Sequence, residues 1–225
     1  ELDARLQAMV RGWGEAVEAE LGNAGEAGRA AALAARYADA FPPAYRSVYG
    51  PADAAADIAR LHRLPAASAQ RDARLHRMAG DRDSQLRLKI YQSSGTLTLS
   101  GAVPALENFG FEVIENVSTA LDAGRLGGVD DFLLVPPAGR TLLELLNRAD
   151  AIESAIAAVL NGTAENDAFN RLILANGLAD REVNWLRGWY RYLRQAGMTF
   201  GIATVVDALQ KTPQAPRGVL ELFIA

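Results

Sequence analysis

Leu86, Leu88 and Ile90 alternate with Arg87, Lys89 and Tyr91. This period-two pattern constrains the chain more than any other, because it describes a strand with one buried face. The neighbouring segments have to pack on that strand. Ser93-Ser94-Gly95 breaks the run and Thr96-Leu97-Thr98-Leu99 alternates briefly again. Ser100 is placed to cap a helix through its hydroxyl. Pro104 suits the early part of that helix, Leu106 and Phe109 share a face, and Gly110 is a left-handed stop. Phe111, Val113 and Val117 suggest a second strand. Phe132-Leu133-Leu134-Val135, closed by Pro136-Pro137, reads as a third, buried one. A helix is expected from about Thr141 to Leu160, with Leu142, Leu145, Leu146, Ala149, Ile152, Ile156 and Val159 as its apolar stripe.

The order β-α-β-β-α supplies the first five elements of a ferredoxin-like βαββαβ module. No sixth, closing strand is evident. The expected fold class is α+β, a sheet module flanked by helical segments, with a helical segment at 1–80, the α/β module at 84–162 and a second helical segment at 163–225.

The first segment carries helical spacing in Leu6, Met9, Val10, Trp13 and Val17, then in Ala30 to Ala40, then in Ala55, Ile58, Ala59 and Leu61 after Pro51. Tyr45 and Tyr49 lie at i, i+4. Residues 65–85 are polar and arginine-rich and read as a boundary. In the last segment Phe169, Leu172 and Ile173 share a face that ends at Asn176-Gly177. Asp180 can cap a helix that runs to Gly197, and shorter helices come after it at Ile202 to Leu209 and Val219 to Ile224.

Composition bounds the function. A net charge of -4 argues against a nucleic-acid surface. The absence of cysteine excludes disulfides, thiolate zinc sites and cysteine nucleophiles, and fits a reducing cytoplasm. No apolar run approaches the ~18 residues of a membrane helix, and no signal peptide is present. The chain begins at Glu1 and ends in an apolar run, so a piece of a larger protein is expected. All but two of the 23 basic residues are arginine, which with the abundant alanine suggests a GC-rich bacterial genome.

No catalytic constellation is found. Gly12-Trp13-Gly14 lacks the strand and third glycine of a dinucleotide loop, and the glycine-rich Gly124 to Gly128 precedes a strand rather than a helix, so it reads as a flexible loop. His62 and His76 read as surface residues, and Asp130-Asp131 and Asp81/Asp83 as solvated acids. Arg187, Arg191 and Arg194 fall at i, i+4, i+7 and form one basic stripe beside an aromatic stripe of Trp185, Trp189 and Tyr192. That surface suits an anion or a partner protein, or else the arginines pair with acids of another segment.

Several blocks resemble a family. Leu86 to Tyr91, Leu97 to Ser100 and Pro104 to Val113 are similar to the large bacterial NAD-specific glutamate dehydrogenases. So are Asn166 to Leu174, Gly177-Leu178, Arg181 to Val183, Leu186-Arg187 and Tyr190 to Gly197, with Ala40-Phe41-Pro42, Tyr45 and Asp57-Ile58 earlier. Gly101 stands where the family pattern has an aspartate, and 116–129 is looser than its counterpart.

The resemblance implies a very long parent chain that oxidises L-glutamate with NAD, with the dehydrogenase domains outside this segment. It implies that the sheet is an ACT-like module. No catalytic, cofactor-binding or metal residue of the family maps onto these positions, and NAD would be the cofactor of the parent alone. The implied role is regulatory or structural, docking other segments or subunits of the same enzyme. One alternative is an allosteric module holding an amino-acid effector at the helix start, around Ser100, Gly101 and Ala102. Another is a stand-alone helical interaction module. Neither nucleic acid nor a membrane is an expected partner.

Overall fold

The computed structural model describes residues 12–65 and 69–224. Leu6, Met9 and Val10 lie outside them. The described chain forms two compact units, one built from 12–72, 90–97 and 117–131, the other from 73–89, 98–116 and 132–224.

The secondary structure runs α1 (Trp13–Leu21), α2 (Ala30–Tyr37), α3 (Pro43–Arg46), α4 (Pro51–Arg63), β1 (Arg71–His76), β2 (Leu86–Gln92), α5 (Leu99–Phe109), β3 (Glu112–Ala120) and β4 (Gly128–Val135). It continues with α6 (Leu142–Leu146), α7 (Ala149–Leu160), α8 (Arg171–Ala175), α9 (Asp180–Gln195), α10 (Ile202–Lys211) and α11 (Gln214–Ile224). The α+β class expected from the pattern is what is found, with four antiparallel strands in the order β1-β2-β4-β3.

That order accounts for the closing strand the sequence lacks. The β3–β4 hairpin sets β4 beside β2, so the other edge of β2 needs a partner. A sixth element would normally come from downstream. Here β1, upstream of the module, takes the position. The stretch that reads as a polar boundary therefore contains a strand. Its only apolar residues are Ala73 and Leu75, both buried, and two alternating positions are too few for periodicity to register.

Three further readings are corrected. β2 is covered on both faces: Lys89 and Tyr91 are as completely buried as Leu88 and Ile90, as a central strand of a doubly covered sheet should be. The N-cap position of the first module helix is Thr98, whose side chain makes no capping bond, and Ser100 lies one residue inside α5. The helix expected over 141–160 is broken at Asn147-Arg148, where the Arg148 guanidinium leaves to bond the carbonyl oxygens of Ile173 (2.9 Å) and Leu178 (3.0 Å).

In the first unit α1, α2 and α4 pack through Val17, Leu21, Leu33, Ala34, Ile58 and Leu61. Trp13 Nε1 donates to the Ala38 carbonyl at 2.9 Å, and the Arg46 guanidinium lies over the Trp13 ring at 5.3 Å. In the second unit α5 and α7 contribute Ala102, Leu106, Phe109, Ile152 and Ile156, all essentially inaccessible to water. Gly110 ends α5 with φ 95°, the left-handed stop its sequence position suggests.

Candidate functional sites

The start of α5 is one candidate. Ser100 and Gly101 are exposed and Ala102 is buried. The amides of Gly101 and Ala102 both donate to the Thr98 carbonyl at 3.0 Å, so these two are already engaged by the helix turn.

The basic stripe on α9 divides. Arg187 is buried, at 3% exposure, where its spacing alone makes it part of an open surface. Its Nε and Nη2 donate to the two carboxylate oxygens of Asp167 at 2.7 and 2.9 Å, Nη2 also donates to Asn170 Oδ1 at 2.9 Å, and Nη1 reaches Asn184 Oδ1. A guanidinium held in this bidentate way has its charge and donors committed internally. Arg191 is exposed and pairs with Glu165; Arg194 donates to the Met198 carbonyl at 2.8 Å. Trp185, Trp189 and Tyr192 do share a face. With Asn184 and Gly188 they line an apolar groove of about 440 Å³.

A larger recess, about 760 Å³, lies at the far end of α5 from Ser100. Arg77, Arg140, Asp83 and Glu112 line it with Pro136 and Pro137. Both arginines already carry internal bonds: Arg77 Nη2 donates to the carbonyls of Asp81 and Arg82, and Arg140 Nε and Nη2 to that of Ala175.

The first unit holds an acidic cluster whose sequence pattern suggests solvent exposure. Asp130 and Asp131 are on β4 and buried. Tyr49 donates its hydroxyl to Asp131 Oδ2, and Gln92 Nε2 donates to Asp130 Oδ2 at 3.3 Å. Next to them Asp57, wholly buried on α4, accepts from Tyr45 (2.6 Å) and from Tyr91 (2.8 Å), one phenol on each oxygen. The Tyr45 ring stacks on Tyr49 at 4.5 Å and against Phe41 at 4.4 Å. Burial, reinforced by the Asp57 charge, pushes the Tyr45 phenol far above its ordinary value. A phenol whose ionisation is opposed by burial and by a neighbouring carboxylate stays a donor, which suits an anchor for a buried carboxylate rather than an acid–base catalyst. The family resemblance takes in Tyr45 and Asp57, but no local pattern shows that Asp57 is buried; its tyrosine partners come from elements other than its own.

His76, expected at the surface, is buried on β1, whereas His62 is half-exposed at the end of α4. Asp81 is engaged by Arg87 Nε at 2.8 Å. Among the described residues no group of three or more histidines and carboxylates is placed to hold a metal ion, and no helix is long and apolar enough to cross a membrane.

Three family models match the chain in succession: glutamate dehydrogenase helical motif 2 over residues 8–64, the glutamate dehydrogenase ACT3 domain over 70–146, and glutamate dehydrogenase helical motif 3 over 164–225. The ACT3 match begins just before β1, the strand that closes the sheet. The chain is 30% identical over 228 residues to the NAD-specific glutamate dehydrogenase of Mycobacterium tuberculosis, covering 98% of this chain and 14% of that protein. It is 32% identical over 206 residues to that of Pseudomonas aeruginosa (89% and 12%), and 30% identical over 224 residues to that of Halomonas elongata (99% and 14%). It thus spans no more than 14% of the length of these relatives.

Proposed function

The chain belongs to the NAD-specific glutamate dehydrogenase family, and from that premise we propose that it serves as a non-catalytic regulatory or structural segment of such an enzyme. The whole protein would convert L-glutamate, NAD and water to 2-oxoglutarate, ammonium and NADH in the cytoplasm. The observation that carries this reading is the succession of helical motif 2, ACT3 and helical motif 3 along one chain that spans so little of its relatives.

A docking role is favoured over an effector role. The buried polar clusters, Asp57 with its tyrosines and Arg187 with Asp167, are bonded internally and stiffen what they sit in. Meanwhile Tyr192, which lines the Trp185–Trp189 groove, exposes 64% of its surface, and Leu193 and Phe200 expose 42% and 60%. Exposed apolar surface of this kind suits burial against other segments or subunits of the same enzyme.

The 225-residue chain mixed with glutamate and NAD should produce no NADH, and light scattering should show self-association through the uncovered face. Turnover, or a clean monomer at high concentration, would overturn the reading.

The amino-acid effector reading has a specific observation behind it, though not at Ser100, Gly101 and Ala102. The recess lined by Arg77, Arg140, Asp83 and Glu112 carries both signs of charge, and a zwitterion there would share Arg77 with Asp83, 3.6 Å away, and Arg140 with the Ala175 carbonyl. Calorimetry against common amino acids separates the two: saturable heat supports the effector, and silence across the set leaves docking alone.

A further inference from the structure

The turn between β3 and β4 is strained. Asp122 (φ 49°) and Ala123 (φ 52°) both hold left-handed backbone, followed by Gly124 and Gly127 with φ 88° and 96°. Aspartate tolerates this region, but alanine does so at a cost. The turn is nevertheless closed by its own hydrogen bonds, from the Leu121 amide to the Gly127 carbonyl at 3.0 Å and from the Arg125 amide to the Asp122 carbonyl at 3.0 Å. It is not the loose loop its glycines suggest. Strain that a structure holds in place so firmly is a reason to ask what the strained residues present.

They present Arg125 and Leu126 to a cavity of about 270 Å³, lying wholly within the first unit. Arg36 enters it from the last turn of α2 and His62 from the last turn of α4. Leu61, Leu64 and Leu126 give it an apolar wall. No carboxylate is among its lining residues. Attraction of a cation to a helix C-terminus explains Arg36, and histidine is a common residue in a last helical turn, which explains His62. Neither explains why a strained turn delivers a third basic group, Arg125, to the same space. Among the described residues, the acid that engages this trio is Asp122, which Arg125 Nη2 meets at 2.6 Å on the open rim. An exposed pair of that kind is weak and yields to an anion of higher charge. The Tyr37 ring, with the Arg36 guanidinium 5.2 Å from its centroid, borders the cavity and orients that side chain.

The geometry points to a binding site for a small polyanion, a molecule carrying two or more adjacent negative charges, held by Arg36, Arg125 and His62.

The test titrates the full 225-residue chain by calorimetry with inorganic phosphate and, separately, with citrate. Buffers of low and high salt are used with each. Saturable one-site binding to at least one of them is expected, weaker at high salt. Phosphate as the better arm identifies a phosphoryl ligand; citrate as the better arm identifies a polycarboxylate. Arg36→Gln and Arg125→Gln should each weaken binding about tenfold, whereas Arg217→Gln, outside the cavity, should leave it unchanged. Both arginines are exposed, so the variants should fold, and circular dichroism checks that they do. His62→Gln supplies a third variant acting at the same site. No saturable binding in either arm, or binding that survives Arg36→Gln and Arg125→Gln intact, would overturn the assignment.

Discussion

The Leu75 amide on β1 donates to Glu153 Oε1 on α7 at 2.7 Å, and both groups are buried. β1 is an edge strand, so some of its backbone groups have no strand beside them. A carboxylate from a helix fills that place at Leu75. The strand that completes the sheet is therefore fastened by a residue 78 positions away along the chain. Glu153→Ala should cost about 1–3 kcal/mol, the usual penalty for a buried donor left unsatisfied, and should speed hydrogen exchange at the Leu75 amide. Glu153→Gln keeps an acceptor and should cost less. Equal urea midpoints and unchanged exchange in Glu153→Ala would show that β1 is held by other means.

Arg187 is the corresponding fastening in the C-terminal helices. Its fork meets Asp167 with two parallel bonds and Asn170 with a third. Arg187→Ala should destabilise by about 3–5 kcal/mol, because a charge is left without its buried partner. Arg187→Lys should recover little, since an ammonium cannot reproduce the planar fork. Thermal unfolding of the three proteins checks the ordering; a lysine variant as stable as the parent would contradict it.

How much the sequence discloses depends on where the determining interactions lie. β2, β4, the stripe of α7 and the stop at Gly110 are set by residues close in sequence, and periodicity or a single glycine reveals them. β1 is set by remote partners: Glu153 bonds its backbone, and Arg60 Nη1 meets Asp72 at 3.1 Å. Nothing within 71–76 announces them. The acids mislead for the same reason. Asp130 and Asp131 look like a loop pair until Gln92 and Tyr49 are brought to them, and Asp57 looks like one more polar position on an amphipathic helix. Of the site candidates, the Arg187 spacing is legible but its burial is not. The cavity of Arg36, His62 and Arg125 is invisible in the sequence, because it joins three elements separated by loops.

The Tyr45 phenol gives the protein an alkaline limit. Its folded-state value is raised by burial and then by Asp57. A raised value means that the folded chain holds the proton more tightly than the unfolded chain does. The stabilisation is therefore complete below the unfolded phenol value of about 10 and is lost as pH rises beyond it, by up to roughly 1.4 kcal/mol per pH unit. Tyr45→Phe removes this dependence but leaves Asp57 with one phenol fewer. At neutral pH the variant should be less stable by about 1–3 kcal/mol, and its stability should fall less steeply above pH ~10. Denaturant melts across the alkaline range measure both; parallel curves for the two proteins would rule out Tyr45 as the group responsible.

The strained turn yields a pair of substitutions with opposite signs. Ala123 holds φ 52°, a conformation that costs a residue with a Cβ about 1–2 kcal/mol. Ala123→Gly removes that cost and gives back part of it as chain entropy, so a net gain of up to about 1 kcal/mol is expected. Gly127 has φ 96°, and a Cβ built there would come 2.4 Å from the Gln92 carbonyl oxygen, a backbone atom of β2 with little freedom to move. Gly127→Ala therefore combines backbone strain with a collision and should destabilise by roughly 2 kcal/mol or more. Melting temperatures of the two variants should fall on opposite sides of the parent. If Ala123→Gly lowered stability as Gly127→Ala does, the left-handed geometry at Ala123 could not be the strained feature of this turn.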